Sequence, residues 1–244
     1  MPRRGVLSAK AVTKRYGPIL AVDGISLEVA QGEVFGLLGS NGAGKTTLMK
    51  IFATLLRPDA GTASVAGIDV IQDPLAVRAC IGFVPDSAAL YDKLTGREFL
   101  HLVAKLRGIP IPRAEQGIAE VSYLLRMDEE LARECDGLSR GMKQKLALAS
   151  AMFHKPPVLI LDEPTNGLDP RFAKLLKGWL KDYARAGNTV LMSTHVTQVA
   201  EAICDRVAIV HEGRIAAEGS VAEVAARADA RTLEDAFSVI VGEA

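Results

Sequence analysis

The sequence predicts an α/β fold in which a sheet-forming part is split by an all-helical insertion. Three patterns carry this expectation. Ile25, Leu27 and Val29 alternate with Ser26, Glu28 and Ala30, the period of a half-buried strand. Unbroken apolar runs recur at Val34-Phe35-Gly36-Leu37-Leu38, Val158-Leu159-Ile160-Leu161, Thr189-Val190-Leu191-Met192 and Val207-Ala208-Ile209-Val210. Runs of that length and kind suit strands buried on both faces. From 86 to 150 the apolar period lengthens to that of a helix.

Taken in order, Gln31-Gly32 turns the first β stretch into the run at 34–38. Residues 48–56 read as a helix stopped by Pro58, Asp59-Ala60-Gly61-Thr62 as a turn, and 63–70 as short strands. Phe99, Leu102, Val103 and Leu106 share one helical face, and Thr95 with Glu98 forms a candidate capping box before them. Pro110 and Pro112 interrupt the helical part, and Ile118, Val121 and Leu125 resume it. A helix is expected over 145–152 and another over 172–186. Glu212-Gly213 links the last apolar run to Arg214-Ile215-Ala216 as a hairpin. Residues 220–223 and 232–235 each start a small helix. One domain thus fills 1–244: 1–85 and 151–219 form a core with a β subdomain, 86–150 a helical subdomain, and 220–244 a helical extension.

A chain of 244 residues, 49 % of them apolar, has ample material for a buried core. Its 29 basic residues balance 29 acidic ones, and the only basic run is the short Pro2-Arg3-Arg4 start, so no nucleic-acid partner is expected. Cys80, Cys135 and Cys204 stand far apart in no metal-ligand spacing, which suits reduced thiols of a cytosolic chain. No apolar stretch approaches the roughly 20 residues of a membrane span, and the first residues lack the apolar core of a secretion signal. Action at a membrane would therefore require docking onto another protein.

The densest chemistry lies at Gly39-Ser40-Asn41-Gly42-Ala43-Gly44-Lys45-Thr46-Thr47, directly after an apolar strand. Its glycines let successive backbone N–H groups converge on phosphate oxygens, and a helix starting near Lys45 adds its positive end. The Lys45 ammonium suits the β and γ phosphates, and the Thr46 hydroxyl suits the shell of Mg²⁺. A second device follows the strand at 158–161: Asp162 can hold Mg²⁺ through water, and Glu163 can polarise an attacking water as general base. Ser139 and Gly141 offer a hydroxyl and an exposed N–H before a helix, a second place for an anion.

With these motifs in place, the chain resembles the ATP-binding-cassette (ABC) ATPases over essentially its full length. The phosphate loop, Leu138-Ser139-Arg140-Gly141-Met142, Leu161-Asp162-Glu163-Pro164, Asn166-Gly167-Leu168-Asp169 and Ser193-Thr194-His195 stand in that family's order and spacing. The resemblance implies a P-loop NTPase (RecA-like) core with an N-terminal antiparallel β subdomain and an inserted helical subdomain. It implies that Tyr16 stacks on adenine and that His195 holds the γ-phosphate. It further implies that two such domains sandwich two ATP-Mg²⁺ head to tail, each phosphate loop facing the partner's Ser139 and Gly141, with Asp169 on the loop crossing between sites. Cofactors are then ATP and Mg²⁺; partners are a second ATPase subunit, identical or paralogous, and an integral membrane permease. The location implied is cytoplasmic, peripheral at the inner face of the cell membrane.

Two positions depart from the family's pattern. Arg140 replaces a common glycine but leaves the Ser139 and Gly141 donors in place. Asp86 follows Ile81-Gly82-Phe83-Val84-Pro85, where the family usually has glutamine. Asp86 can still ligate a cation, and it adds a negative charge near Asp162 and Glu163. The style of 138–144, of Leu90-Tyr91-Asp92-Lys93-Leu94-Thr95 and of Leu233-Glu234-Asp235-Ala236-Phe237 is similar to exporter-type bacterial cassettes. A two-cassette translation or resistance factor does not fit a chain with one phosphate loop. A chromosome-maintenance ATPase would carry a long coiled coil where this chain has Pro110 and Pro112. A non-transport or regulatory cassette with weak hydrolysis is the alternative; Asp86 alone supports it, against Lys45, Thr46, Asp162, Glu163 and His195.

Overall fold

The computed structural model describes residues 5–87 and 89–242; the Pro2-Arg3-Arg4 run lies outside them. The chain order is β1 (Gly5–Tyr16), β2 (Ile19–Ala30), β3 (Val34–Leu38), α1 (Lys45–Phe52), β4 (Ala60–Val65), β5 (Ile68–Asp69), α2 (Pro74–Cys80) and β6 (Ile81–Val84). The helical part follows as α3 (Gly96–Leu106), α4 (Ile111–Leu125), α5 (Asp128–Ala132), a 3₁₀ turn (Cys135–Gly137) and α6 (Arg140–Met152). The remainder is β7 (Val158–Leu161), α7 (Pro170–Arg185), β8 (Thr189–Thr194), α8 (Thr197–Ile203), β9 (Arg206–His211), β10 (Arg214–Ser220), α9 (Val221–Arg227) and α10 (Leu233–Val241).

Two sheets result. β1, β2, β4 and β5 form an antiparallel sheet in the order β2-β1-β4-β5. The central sheet runs β10-β9-β3-β8-β7-β6 and is parallel except for the β9–β10 hairpin. Every residue of β3, β7 and β8 is buried, which is why their sequences are unbroken apolar runs rather than alternations. Their side chains split between two cores. Phe35, Leu37, Ile160 and Leu191 face α1 and the antiparallel sheet. Val34, Leu38, Leu161 and Met192 face the helical layer. Among the described residues no helix is long and apolar enough to cross a membrane.

This strand order positions the site. β3 sits between β8 and β9, and β3, β6, β7 and β8 all run the same way. Their carboxyl ends therefore lie on one edge, so the loops beginning at Gly39, Pro85, Asp162 and His195 open side by side. In open parallel sheets that edge is where ligands bind.

Several sequence expectations need correction. The helix expected over 48–56 runs instead from Lys45 to Phe52, because Thr54 takes a left-handed φ of +60° and the turn cannot continue. The helix expected over 145–152 begins at Arg140, since the Ser139 hydroxyl accepts the Met142 N–H at 3.3 Å and caps a full extra turn. The expected boundary between 150 and 151 falls inside α6. Residues 60–62, expected as a turn, open β4 and pair with β1; Asp59 ties them there by accepting from the Arg15 N–H at 2.7 Å and the Lys14 ammonium at 2.8 Å. Helices α2 and α8 lie where the sequence pattern predicts none. The Thr95–Glu98 capping box is present, and Phe99, Leu100 and Ala104 are buried beneath it, but Leu106 is 75 % exposed rather than on the covered face.

Candidate active site

The phosphate loop leaves β3 and enters α1 through Gly44, whose φ of +107° is open only to glycine. A β-carbon there would stand 2.2 Å from the Ala21 carbonyl oxygen, so β2 also presses against the loop. On the other side, the Gly213 N–H of the β9–β10 turn donates to the Ala43 oxygen at 3.0 Å. The loop is thus held from both flanks. Among the described residues no side chain caps α1, and its first turn carries no acidic residue, so its leading N–H groups remain available to an anion.

A cavity of about 220 Å³ opens over this loop. Its wall contains residues 41–47 of the loop, with Asp86, Asp162, Glu163 and His195 from the neighbouring strand ends. Lys45 is 6 % exposed, and its ammonium donates to the Gly39 and Ser40 oxygens at 2.7 and 3.0 Å. Burial holds its pKa below the usual lysine value, with Glu163, Asp162 and Asp86 pulling the other way. An incoming polyanion offers this ammonium better partners than two carbonyls.

The carboxylates are arranged by β8. Leu161 pairs with Met192, which sets the following residues, Asp162 and Ser193, beside each other. The buried Ser193 hydroxyl donates to Asp162 Oδ1 at 2.5 Å and accepts the Glu163 N–H at 2.9 Å. Asp162 is 1 % exposed, and its other oxygen, Oδ2, has no partner among the described residues although the residue lines the cavity. A buried carboxylate oxygen left open in this way fits a divalent cation, and the Thr46 and Asp86 side-chain oxygens in the same wall complete a hard donor set. Among the described residues no cluster of three His, Cys, Asp or Glu could hold a metal alone. Mg²⁺ takes one or two carboxylates and fills its shell with water and phosphate.

Glu163 adopts a left-handed φ of +50°, a strained conformation for a residue with a side chain. Its carboxylate lies 2.8 Å from His195 Nδ1, a contact in which that nitrogen donates whenever the carboxylate is ionised.

Other predicted residues stand elsewhere. Tyr16 ends β1 at the hairpin tip, 45 % exposed, and is not part of the cavity wall. Ser139 caps α6, and Gly141 lies in its first turn against the Gly167 carbonyl. Asp169 caps α7, accepting the Arg171 and Phe172 N–H groups at 3.0 and 2.9 Å. The 139–141 and 166–169 segments therefore touch one another, while Ser139, Gly141 and Asp169 stay outside the cavity. Three residues at the site escape sequence reasoning: Ala21 and Asn166 in the wall, and Ser193 behind the carboxylates. Asn166 and Ser193 lie within recognisable motifs; Ala21 acts through its backbone and leaves no sequence signal.

A family model described as ABC transporter matches residues 22–166. The chain is 39 % identical over 238 residues to a daunorubicin resistance ATP-binding protein of Streptomyces coeruleorubidus, spanning 98 % of this chain and 74 % of that one. It is 40 % identical over 209 residues to the Nod factor export ATP-binding protein I of Burkholderia orbicola, spanning 86 % and 69 %. Among solved structures, an ATP-binding subunit of an ABC transporter superposes with a TM-score of 0.90 at 30 % identity, covering 96 % of this chain and 99 % of that one. A dimeric bacterial ABC transporter cassette superposes with a TM-score of 0.81 at 26 % identity, covering 88 % and 98 %.

Proposed function

The chain belongs to the ABC transporter family, as an ATP-binding and ATP-hydrolysing subunit that drives transport, and from that premise we propose how its own residues do so. Two copies, or one copy and a paralogue, close around two ATP molecules and power export through a separate permease. The subunit then sits on the cytoplasmic face of the membrane, held there by that permease. Export is supported by the relatives, which are named for daunorubicin resistance and Nod factor export.

The observation that carries the two-copy reading is a division of the motifs. Lys45, Asp162, Glu163 and His195 meet in one cavity, whereas Ser139 and Gly141 stand outside it on the α6 N-terminus. A second copy would bring its Ser139 hydroxyl and Gly141 N–H to the γ-phosphate. The dimeric state of a solved relative supports this arrangement. The loop from Gly39 to Thr47 wraps the phosphates, with Lys45 on β and γ. When Mg²⁺ is bound it neutralises phosphate charge and orients the oxygens, and Thr46, Asp162 and Asp86 are the residues that hold it. Glu163 takes the proton of the attacking water, His195 orients Glu163 and meets the γ-phosphate, and Tyr16 stacks on adenine. Asp169 lies on the loop that crosses between the sites. Hydrolysis removes the charge that joined the halves, and they separate.

The permease side is supported by a groove of about 780 Å³ between α1–α2 and α3–α4. Leu55, Leu75 and Leu106 line it at 53, 72 and 75 % exposure. Arg78, Arg107 and Arg113 rim it, and among the described residues none of them pairs with a carboxylate. An apolar permease helix carrying an acidic residue matches this lining. β6 runs from the groove, at Ile81 and Phe83, towards Asp86 in the cavity, which gives the two sites a short rigid connection.

The decisive experiment is Glu163→Gln. The variant should bind ATP, lose hydrolysis by about 100-fold or more, and form an ATP-dependent dimer in light scattering. Turnover at the parent rate would remove Glu163 as the base.

A further inference from the structure

Asp86 changes the electrostatics of the cavity in a way that bears on which form of nucleotide it accepts. Three carboxylates, Asp86, Asp162 and Glu163, share the wall with a single obligate cation among the described residues, Lys45. His195 commits its Nδ1 to Glu163, leaving only Nε2 to face a phosphate oxygen. The fields of all three carboxylates reach the Lys45 ammonium. Asp162 Oδ2, buried and without a partner among the described residues, lines the same space. The wall is therefore net negative where a polyphosphate must lie. Glutamine at 86, as the resemblance leads one to expect, would leave one charge fewer.

We propose that Asp86 is a specificity-determining residue that makes nucleotide capture conditional on a divalent cation. The metal-free triphosphate is repelled by the carboxylate wall. The metal-bound form carries the counter-charge that the wall requires and is admitted. With glutamine at this position, the loop amides and Lys45 would face one carboxylate fewer and free ATP would enter more readily. Asp86 thus selects between two forms of the same substrate before any chemistry begins. The inference rests on the reading of the cavity as an ATP site.

The test is equilibrium binding of ATP to the full chain, by calorimetry, with Mg²⁺ and with EDTA in place of metal. Asp86→Asn removes the charge at constant size, and Asp86→Gln removes it with a longer side chain. Both variants should bind metal-free ATP about ten-fold more tightly than the parent, with a smaller gain at high salt. The gap between the two conditions should shrink by at least that factor. Metal-free affinity unchanged in Asp86→Asn overturns the proposal. A gain seen only in Asp86→Gln also overturns it, since length rather than charge would then be responsible. Failure of the parent chain to bind ATP in either condition would instead strike the ATP-site reading itself. Folding of the variants is checked by their thermal unfolding.

Discussion

His195 Nδ1 donates to Glu163 Oε1 at 2.8 Å, joining the end of β8 to the end of β7 across the floor of the cavity. Glu163 is strained at φ +50° and 8 % exposed, so its carboxylate is held by this contact rather than by solvent. Replacing His195 with alanine should leave the strained backbone intact but free the carboxylate to rotate. We expect kcat to fall about 100-fold, while the affinity for Mg-ATP changes less than about three-fold. Single-turnover hydrolysis with a parallel titration separates the two. A loss confined to affinity would show that His195 binds nucleotide without orienting the base.

Ser193 serves two residues with one hydroxyl. It receives the Glu163 N–H and donates to Asp162 Oδ1, both in a dry environment. Ser193→Ala strands a buried donor and frees a buried carboxylate oxygen. A loss of about 1–3 kcal/mol in urea unfolding is expected from the N–H alone. Because Asp162 also loses its orientation, the Mg²⁺ concentration needed for half-maximal ATPase should rise as well. Ser193→Thr keeps the hydroxyl and should recover most of that metal dependence. If threonine does no better than alanine, the hydroxyl is not what holds Asp162.

Residues proposed to carry chemistry in a contiguous stretch are legible in the sequence alone. Gly39 to Thr47 and Asp162-Glu163 follow apolar strands, so both their identity and their place at a strand end are local properties. Ser193 is not legible as a partner of Asp162, because its role depends on the β7–β8 register, a pairing across the intervening helix. Leu106 departs from expectation for a related reason. Helical spacing gives the direction of an apolar face but not its covered width, and α3 buries Phe99, Leu100 and Ala104 while leaving Leu106 outside. The start of α6 is hidden because Arg140-Gly141-Met142 has a glycine at its centre, and the Ser139 cap overrides that weak propensity.

His154 makes stability pH-dependent. It sits in the groove wall, and burial followed by the nearby Arg107 charge pushes its pKa down to about 4 from an ordinary 6.5. Arg113 acts in the same direction, and the Ile81 carbonyl, 3.3 Å from Nε2, partly opposes them. The folded state thus holds the imidazole neutral while the unfolded chain binds a proton below about 6.5. Stability attributable to His154 is therefore intact at pH 7 and is lost as pH falls through 6.5 towards 4. Between pH 7 and pH 5 the parent should lose about 2 kcal/mol more than His154→Gln in urea unfolding. Parallel losses in the two proteins would mean that the imidazole is not held neutral.

The groove carries the prediction for the permease. Leu55, Leu75 and Leu106 supply apolar surface, and if a permease segment docks here as proposed, Arg78, Arg107 and Arg113, which meet no carboxylate among the described residues, would select a segment bearing an acidic residue. Arg107 also donates to the Arg78 and Ile81 carbonyls, so its removal would disturb β6. Arg113 offers the cleaner probe. Arg113→Glu would place like charge against the proposed acidic permease helix and should lower co-purification of the subunit with membranes by at least ten-fold, a cost of about 1.4 kcal/mol. Leu106→Asn should do the same by removing apolar contact without adding charge. Neither residue lines the nucleotide cavity, so ATP binding by the isolated subunit should stay at the parent level. Suppressor selection then discriminates the charge argument from simple surface damage. An acid-to-base change in a cytoplasmic permease helix should restore Arg113→Glu and leave Leu106→Asn defective. Equal rescue of both variants, or of neither, would mean that the arginines do not read a carboxylate on the partner.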